Sequence, residues 1–185
     1  MWGGAAVSVR LFVALDLPHA ARHALARFRD AAAEPEVWRP VADEALHVTL
    51  AFLGHRPEED IDTAAAVLAG LPACAPPLRL AGALLLPPRR ARVLCAAIQD
   101  DEGVLAALQG AASAGLENAG IYTPERRPFR PHVTVARIRA GARAPREVAA
   151  APEPLAFSGA AVTLYQSRLA RSGARYEPLA SRELT

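Results

Sequence analysis

Residues 47–51 read HVTLA and residues 132–136 read HVTVA, a near-repeat 85 positions apart in a chain of 185 residues. Both copies sit in strand-like surroundings. "LHVTLAFLG" (46–54) is an apolar run closed by glycine, and "HVTVARI" (132–138) is rich in β-branched residues. Side chains alternate between the two faces of a strand. His47, Thr49 and Ala51 are therefore expected on one face, with Leu46, Val48, Leu50 and Phe52 on an apolar core face. In the second copy His132, Thr134 and Ala136 share a face, and Phe129, Pro131, Val133 and Val135 oppose it. A single His-x-Thr on a strand is most often structural. A composition rich in Ala and Val does not place two of only five histidines identically, so the pair reads as two halves of one site.

Working outward, "VSVRLFVALDL" (7–17) reads as a strand stopped by Pro18. "PHAARHALARFRDAAA" (18–33) follows as a helix, with Ala21, Leu25 and Phe28 at helical spacing. A Pro-flanked piece (36–45) leads into the first repeat. Residues 57–71 carry acidic side chains in the first turn of a second helix. Strands at 78–86 and 91–99 are joined by the turn signal "PPRR". A third helix over 101–120 ends at a glycine cap, and residues 155–173 and 174–180 suggest a closing pair of strands. A helix precedes each repeat, and no Gly-rich loop follows a strand. The order predicts an α+β fold with antiparallel sheets in two similar halves, one bilobal domain over 1–185.

Hydrophobic residues make up 52% of the chain and charged residues 22%, enough for a substantial core. A formal net charge of +2 argues against a bulk nucleic-acid binder. All 21 basic residues are Arg, so an anion site here uses guanidinium forks or backbone N–H groups. Cys74 and Cys95 show no CxxC spacing and are expected as reduced thiols. The first residues lack the basic start of a signal peptide, and the apolar run near "LAGALLL" is too short to span a bilayer. A cytoplasmic monomer with no membrane association is the expectation.

Two imidazoles with ordinary pKa values near 6.5 can hold opposite protonation states at neutral pH. One then serves as general base and the other as general acid, while Thr hydroxyls hold phosphoryl oxygens. His47, Thr49, His132 and Thr134 thus fit in-line attack at phosphorus without a metal or other cofactor. A two-His metal site is the alternative, but neither strand carries a carboxylate at a ligand-like position. Arg130 shares the His132 face and is a candidate for the substrate; Arg126 and Arg127 precede the strand and are candidates for a groove rim. Arg137 and Arg139 have the opposite parity and are expected to be solvated. Phe12 is a candidate to stack on a base, with burial in the core as the competing reading. His19 and His23 lie at i, i+4 on a helix, the spacing of a metal pair, with an exposed face as the favoured reading, and His55 has no partner in sequence.

These residues resemble the RNA 2′,3′-cyclic phosphodiesterases of the two-histidine (2H) phosphoesterase superfamily, also known as bacterial 2′–5′ RNA ligases. The matching pieces are "RLFVALDLP" (10–18), Trp38 with "LHVTLAFLG" (46–54), "FRPHVTVAR" (129–137) and "LYQSRLARSGARYEPL" (164–179). The resemblance implies a bilobal fold whose two antiparallel sheets, flanked by helices, form a central groove with pseudo-two-fold symmetry. It implies hydrolysis of a ribose 2′,3′-cyclic phosphate to a 2′-phosphomonoester on RNA ends or nucleotides. His47 would then be the acid that protonates O3′, and His132 the base that activates water. Thr49 and Thr134 would hold phosphate oxygens. Reversible 2′–5′ ligation is implied as well. A binding module without turnover is the contrasting expectation, against which both intact His-x-Thr copies argue.

Overall fold

The computed structural model describes residues 8–170 and 173–185. The first seven residues, including Val7 of the expected first strand, lie outside the described residues, as do Arg171 and Ser172 of the expected closing pair. Among the described residues, nine strands and three α-helices follow in the order β1 (Ser8–Asp16), α1 (His19–Ala32), β2 (Trp38–Pro40), β3 (His47–Pro57), α2 (Asp60–Ala69), β4 (Pro77–Leu86), β5 (Val93–Gln99), α3 (Val104–Asn118), β6 (His132–Ile138), β7 (Ala156–Ser158), β8 (Ala161–Ala170) and β9 (Gly173–Glu183). A 3-10 turn, Asp43–Ala45, precedes β3.

All strand pairs are antiparallel, in the order β7-β4-β5-β6-β3-β1-β8-β9, with β2 added on β6. The two expected sheets are joined. The seam is one residue pair, Val48 on β3 opposite Val133 on β6. The order reads outward from that seam as two four-strand halves, each with a histidine strand innermost. That is the pseudo-two-fold arrangement expected of the repeat.

Alternation builds the core. Val9, Leu11, Val13 and Leu15 of β1 and Leu94, Ala96 and Ile98 of β5 are all buried on one side of the sheet. Burying each of the Val, Leu and Ile side chains stabilises by about 1.5–3 kcal/mol. The helices cover that side. α1 buries Ala21, Ala24, Leu25 and Phe28, one stripe at helical spacing. α3 ends in a Schellman motif: Gly120, at φ +75°, donates to Glu117 O, and Ile121 donates to Leu116 O. Leu116 and Ile121 are both buried, as that motif favours. The helices are exchanged between halves: α1 leads into β3 yet packs on β6, whereas α3 leads into β6 yet packs on β3.

The expected tail strand at 155–173 is two strands, broken where Gly159 presses on Leu15. A Cβ at Gly159 would lie 2.6 Å from Leu15 Cδ1, which glycine alone avoids. β3 continues past Gly54, which the sequence marks as its end. Gly54 takes φ +74° beside the extra residue Leu53, and pairing with β1 resumes to Pro57.

Candidate functional site

The uncovered side of the sheet carries the histidines. Each ring is tethered in the same way: His47 Nδ1 donates to Ala45 O at 2.8 Å, and His132 Nδ1 donates to Arg130 O at 2.7 Å. A carbonyl only accepts, so each Nδ1 carries the proton and each neutral ring leaves Nε2 as its free base position. The local chain explains the tether. The 3-10 turn before His47 and Arg130–Pro131 before His132 both deliver the carbonyl two residues upstream. His47 Nε2 lies 3.2 Å from Thr49 Oγ1, and Thr134 Oγ1 lies 3.6 Å from Cys95 Sγ.

Strand parity does not survive beyond either threonine. On β3, Thr49 pairs with Ala14 and Ala51 with Val13, leaving Leu50 as an extra residue. On β6, Thr134 pairs with Cys95 and Ala136 with Leu94, leaving Val135 extra. Each bulge exchanges the faces that follow it. Ala51 and Ala136, expected beside the histidines, are buried in the core at 2% and 0% exposure. Phe52, expected in the core, is 43% exposed and pairs with Phe12 on the histidine face. Arg137, expected to point away, pairs with Val93, whose side chain shares the face of Cys95 and Ala97. The bulge carbonyls are satisfied from outside the ladder: Gln109 Nε2 of α3 donates to Leu50 O at 3.2 Å, and Val41 N donates to Val135 O at 2.9 Å.

Around His47 the groove wall is aromatic. Its ring lies 5.0 Å from that of Phe12 and meets Tyr176 edge-on at 5.3 Å; Phe12 stacks on Tyr165 at 5.3 Å. Beneath them, Asp16 pairs with His47 across β1 and β3. Its carboxylate accepts from Tyr165 Oη at 2.9 Å and from Thr163 Oγ1 at 2.7 Å. Burial lowers the His47 pKa below its ordinary 6.5. The Ala45 hydrogen bond and the Asp16 charge oppose that shift, while Arg137 and His132 add to it. Burial also raises the Tyr165 phenol, with Asp16 adding to the rise. Cys95 is pushed up to about 11 by burial, so at neutral pH its thiol is protonated.

The other sequence candidates separate. Phe12 is only 3% exposed and packs on His47, so its role as a base-stacking surface is corrected; Phe52 presents the open ring, with Arg10 Cζ 4.8 Å above it. Arg130 is exposed beside His132, and its charge is felt at Cys95. Arg126 and Arg127 are exposed in the loop before β6, where Arg127 lies 3.5 Å from Glu125. Arg139 donates to Pro35 O at 2.6 Å. His19 and His23 stack on the surface of α1 with ring centroids 6.3 Å apart, and His55 Nδ1 lies 3.5 Å from Ser8 Oγ. Cys74 and Cys95 are both free thiols. Sequence reasoning passes over Asp16, Tyr165 and Tyr176. The resemblance blocks span all three, yet nothing local marks them as neighbours of His47.

Two tethered imidazoles, each followed by a threonine, flank one seam on the uncovered face of the sheet. Residues 16–171 match the family model of the 2′-5′ RNA ligase superfamily, and the chain belongs to that superfamily. It is 35% identical over 182 residues to the RNA 2′,3′-cyclic phosphodiesterase of Escherichia coli strain K12, covering 95% of this chain and 97% of that one. Its fold is similar to a crystal structure of a Thermus thermophilus protein, with a TM-score of 0.83, 31% identity and coverage of 95% and 97%. It is also similar to E. coli LigT complexed with 3′-AMP, with a TM-score of 0.82, 30% identity and coverage of 97% and 99%. Among the described residues, no helix is long and apolar enough to cross a membrane.

Proposed function

We propose that this protein hydrolyses the 2′,3′-cyclic phosphate at RNA 3′ ends to a 2′-phosphomonoester. The observation that carries the reading is the matched pair of imidazoles, each with Nδ1 tied to the carbonyl two residues upstream, on one face across the Val48–Val133 seam. His132 takes a proton from water as its oxygen attacks phosphorus. The P–O3′ bond breaks, and His47 gives its proton to O3′. Thr49 and Thr134 hold phosphoryl oxygens.

Arg137, turned onto the groove face by its bulge, neutralises charge that develops on those oxygens. Phe52 offers its open ring to the terminal base, and Arg130, Arg126 and Arg127 stand at the rim. Burial favours the neutral form of His47, and an anionic phosphate beside it favours its protonated form. The same groups support 2′–5′ ligation when a 5′-hydroxyl replaces water. The names of the relatives and the 3′-AMP complex of LigT support the choice of substrate. A single bilobal domain acting as a cytoplasmic monomer completes the reading, and two free thiols suit a reducing compartment.

The test is product identity. An oligoribonucleotide ending in a 2′,3′-cyclic phosphate is expected to yield the 2′-phosphomonoester. A 3′-phosphate product, or no turnover, overturns the reading.

A further inference from the structure

The β4–β5 turn and the loop after β6 enclose a cleft of about 1110 Å³. Six arginines line it: Arg89, Arg90 and Arg92 from the turn, and Arg139, Arg143 and Arg146 from the loop. No carboxylate lines it, and among the described residues none of the six is in an ion pair. Only Arg139 has a side-chain hydrogen bond there, to a backbone carbonyl. The charge is therefore segregated. The chain carries 21 basic and 19 acidic residues; without these six arginines, the remaining 15 basic residues fall four short of the acidic ones. Converging guanidinium groups repel one another unless an anion lies between them, and their planar forks match phosphate oxygens.

The cleft adjoins the edge of the groove: Leu85 and Ile138 line it from the helix-covered side of the sheet, and Ile138 directly follows Arg137 of the histidine side. Ile138 N donates to Arg92 O at 2.9 Å, which pins the two loops together where β5 begins and β6 ends. Val93, next to Arg92, pairs with Arg137 on the histidine face. At roughly 3.3 Å per strand residue, Arg139 lies about 23 Å along the chain direction from His132, and only about 7 Å from Arg137. A single phosphate does not fill this volume, which exceeds the usual small-ligand pocket of roughly 300–1,000 Å³.

We propose that this cleft is a separate binding site for the phosphodiester backbone of the RNA strand whose cyclic end lies between the histidines. The inference rests on the cyclic phosphodiesterase reading and adds to it a second place where the RNA strand is held. The enzyme then distinguishes an RNA end from a cyclic mononucleotide by contacts made away from the reacting phosphate.

The test compares two substrates, a 2′,3′-cyclic mononucleotide and an oligoribonucleotide ending in the same group. In the unaltered protein, log(kcat/KM) should fall with log[salt] more steeply for the oligonucleotide, by about 0.7 per backbone phosphate held. In the quadruple variant R89A/R90A/R143A/R146A, KM for the oligonucleotide should rise at least tenfold with kcat unchanged, and that extra slope should shrink. Both constants for the mononucleotide should stay as they were, which also reports an intact fold. Equal salt slopes for the two substrates in the unaltered protein overturn the proposal without any variant. So does an unchanged oligonucleotide KM in the variant. If the unaltered protein turns over neither substrate, the catalytic reading itself has failed, which is a different outcome from loss of the length preference.

Discussion

Leu50 and Val135 occupy equivalent places: each is the unpaired residue of a β-bulge three positions beyond a groove histidine. The bulges make the site. They send Ala51 and Ala136 into the core and bring Phe52 and Arg137 onto the face of His47 and His132. Each bulge carbonyl is held by a partner from outside its ladder, Gln109 for Leu50 and Val41 for Val135.

Gln109→Leu removes the donor to Leu50 O and leaves that partly buried carbonyl unpaired. Such a loss costs about 1–3 kcal/mol when the acceptor is dry, and this site belongs at the low end. Denaturant unfolding should show a loss of about 1 kcal/mol. KM for the cyclic phosphate should rise more than kcat falls, because Phe52 and Thr49 flank the bulge. Unchanged stability would mean that water replaces the glutamine.

Arg137→Ala should lower kcat by roughly 10²–10³-fold, as expected when one donor to developing charge is removed. Arg137→Lys should recover only part of that, since an ammonium cannot make two parallel bonds to phosphate. Arg137 is exposed, so the melting temperature should hold. Steady-state kinetics with a cyclic mononucleotide checks this, and full activity in Arg137→Ala would remove Arg137 from the mechanism.

Protonation of His47 sets the third expectation. Its pKa lies below 6.5, chiefly through burial. With His47 as the acid, the alkaline limb of kcat/KM reports loss of that proton and should fall on the acid side of 6.5. Asp16 favours the imidazolium, so Asp16→Asn should push this limb to still lower pH. Activity should drop at neutral pH and return on acidification. A limb that does not move would separate Asp16 from His47.

The same shift gives stability a pH dependence. Above the ordinary value of 6.5, His47 is neutral in both folded and unfolded chains and contributes no slope. As pH falls, the unfolded chain binds the proton first, and stability is lost down through the lowered folded pKa. Melting temperatures recorded across this window should decline for the native sequence, and His47→Gln should flatten part of the decline. Parallel curves would place the pH sensitivity elsewhere.

Much of this is legible in the chain. The repeat, its strand setting and the flanking helices come from short-range patterns, and they locate His47, Thr49, His132 and Thr134. Parity misplaces Phe52, Arg137 and the two alanines because nothing in "TLAF" or "TVAR" announces an unpaired residue; β1 and β5 impose it through register. The aromatic wall is hidden for a related reason. Tyr165 and Tyr176 reach His47 only after β8 and β9 fold back beside β1, a contact made across more than a hundred residues. Phe12 reads in sequence as a candidate for a base, and its near-complete burial against His47 depends on those same tyrosines.

The central claim is that both histidines move protons at one phosphate. The most direct measurement is kcat/KM for His47→Ala and His132→Ala on an oligoribonucleotide ending in a 2′,3′-cyclic phosphate, with folding verified by thermal melts. Each substitution should reduce it by roughly 10²–10⁴-fold, and the double variant should lose little more than the worse single one. Full activity in either folded single variant would contradict the account.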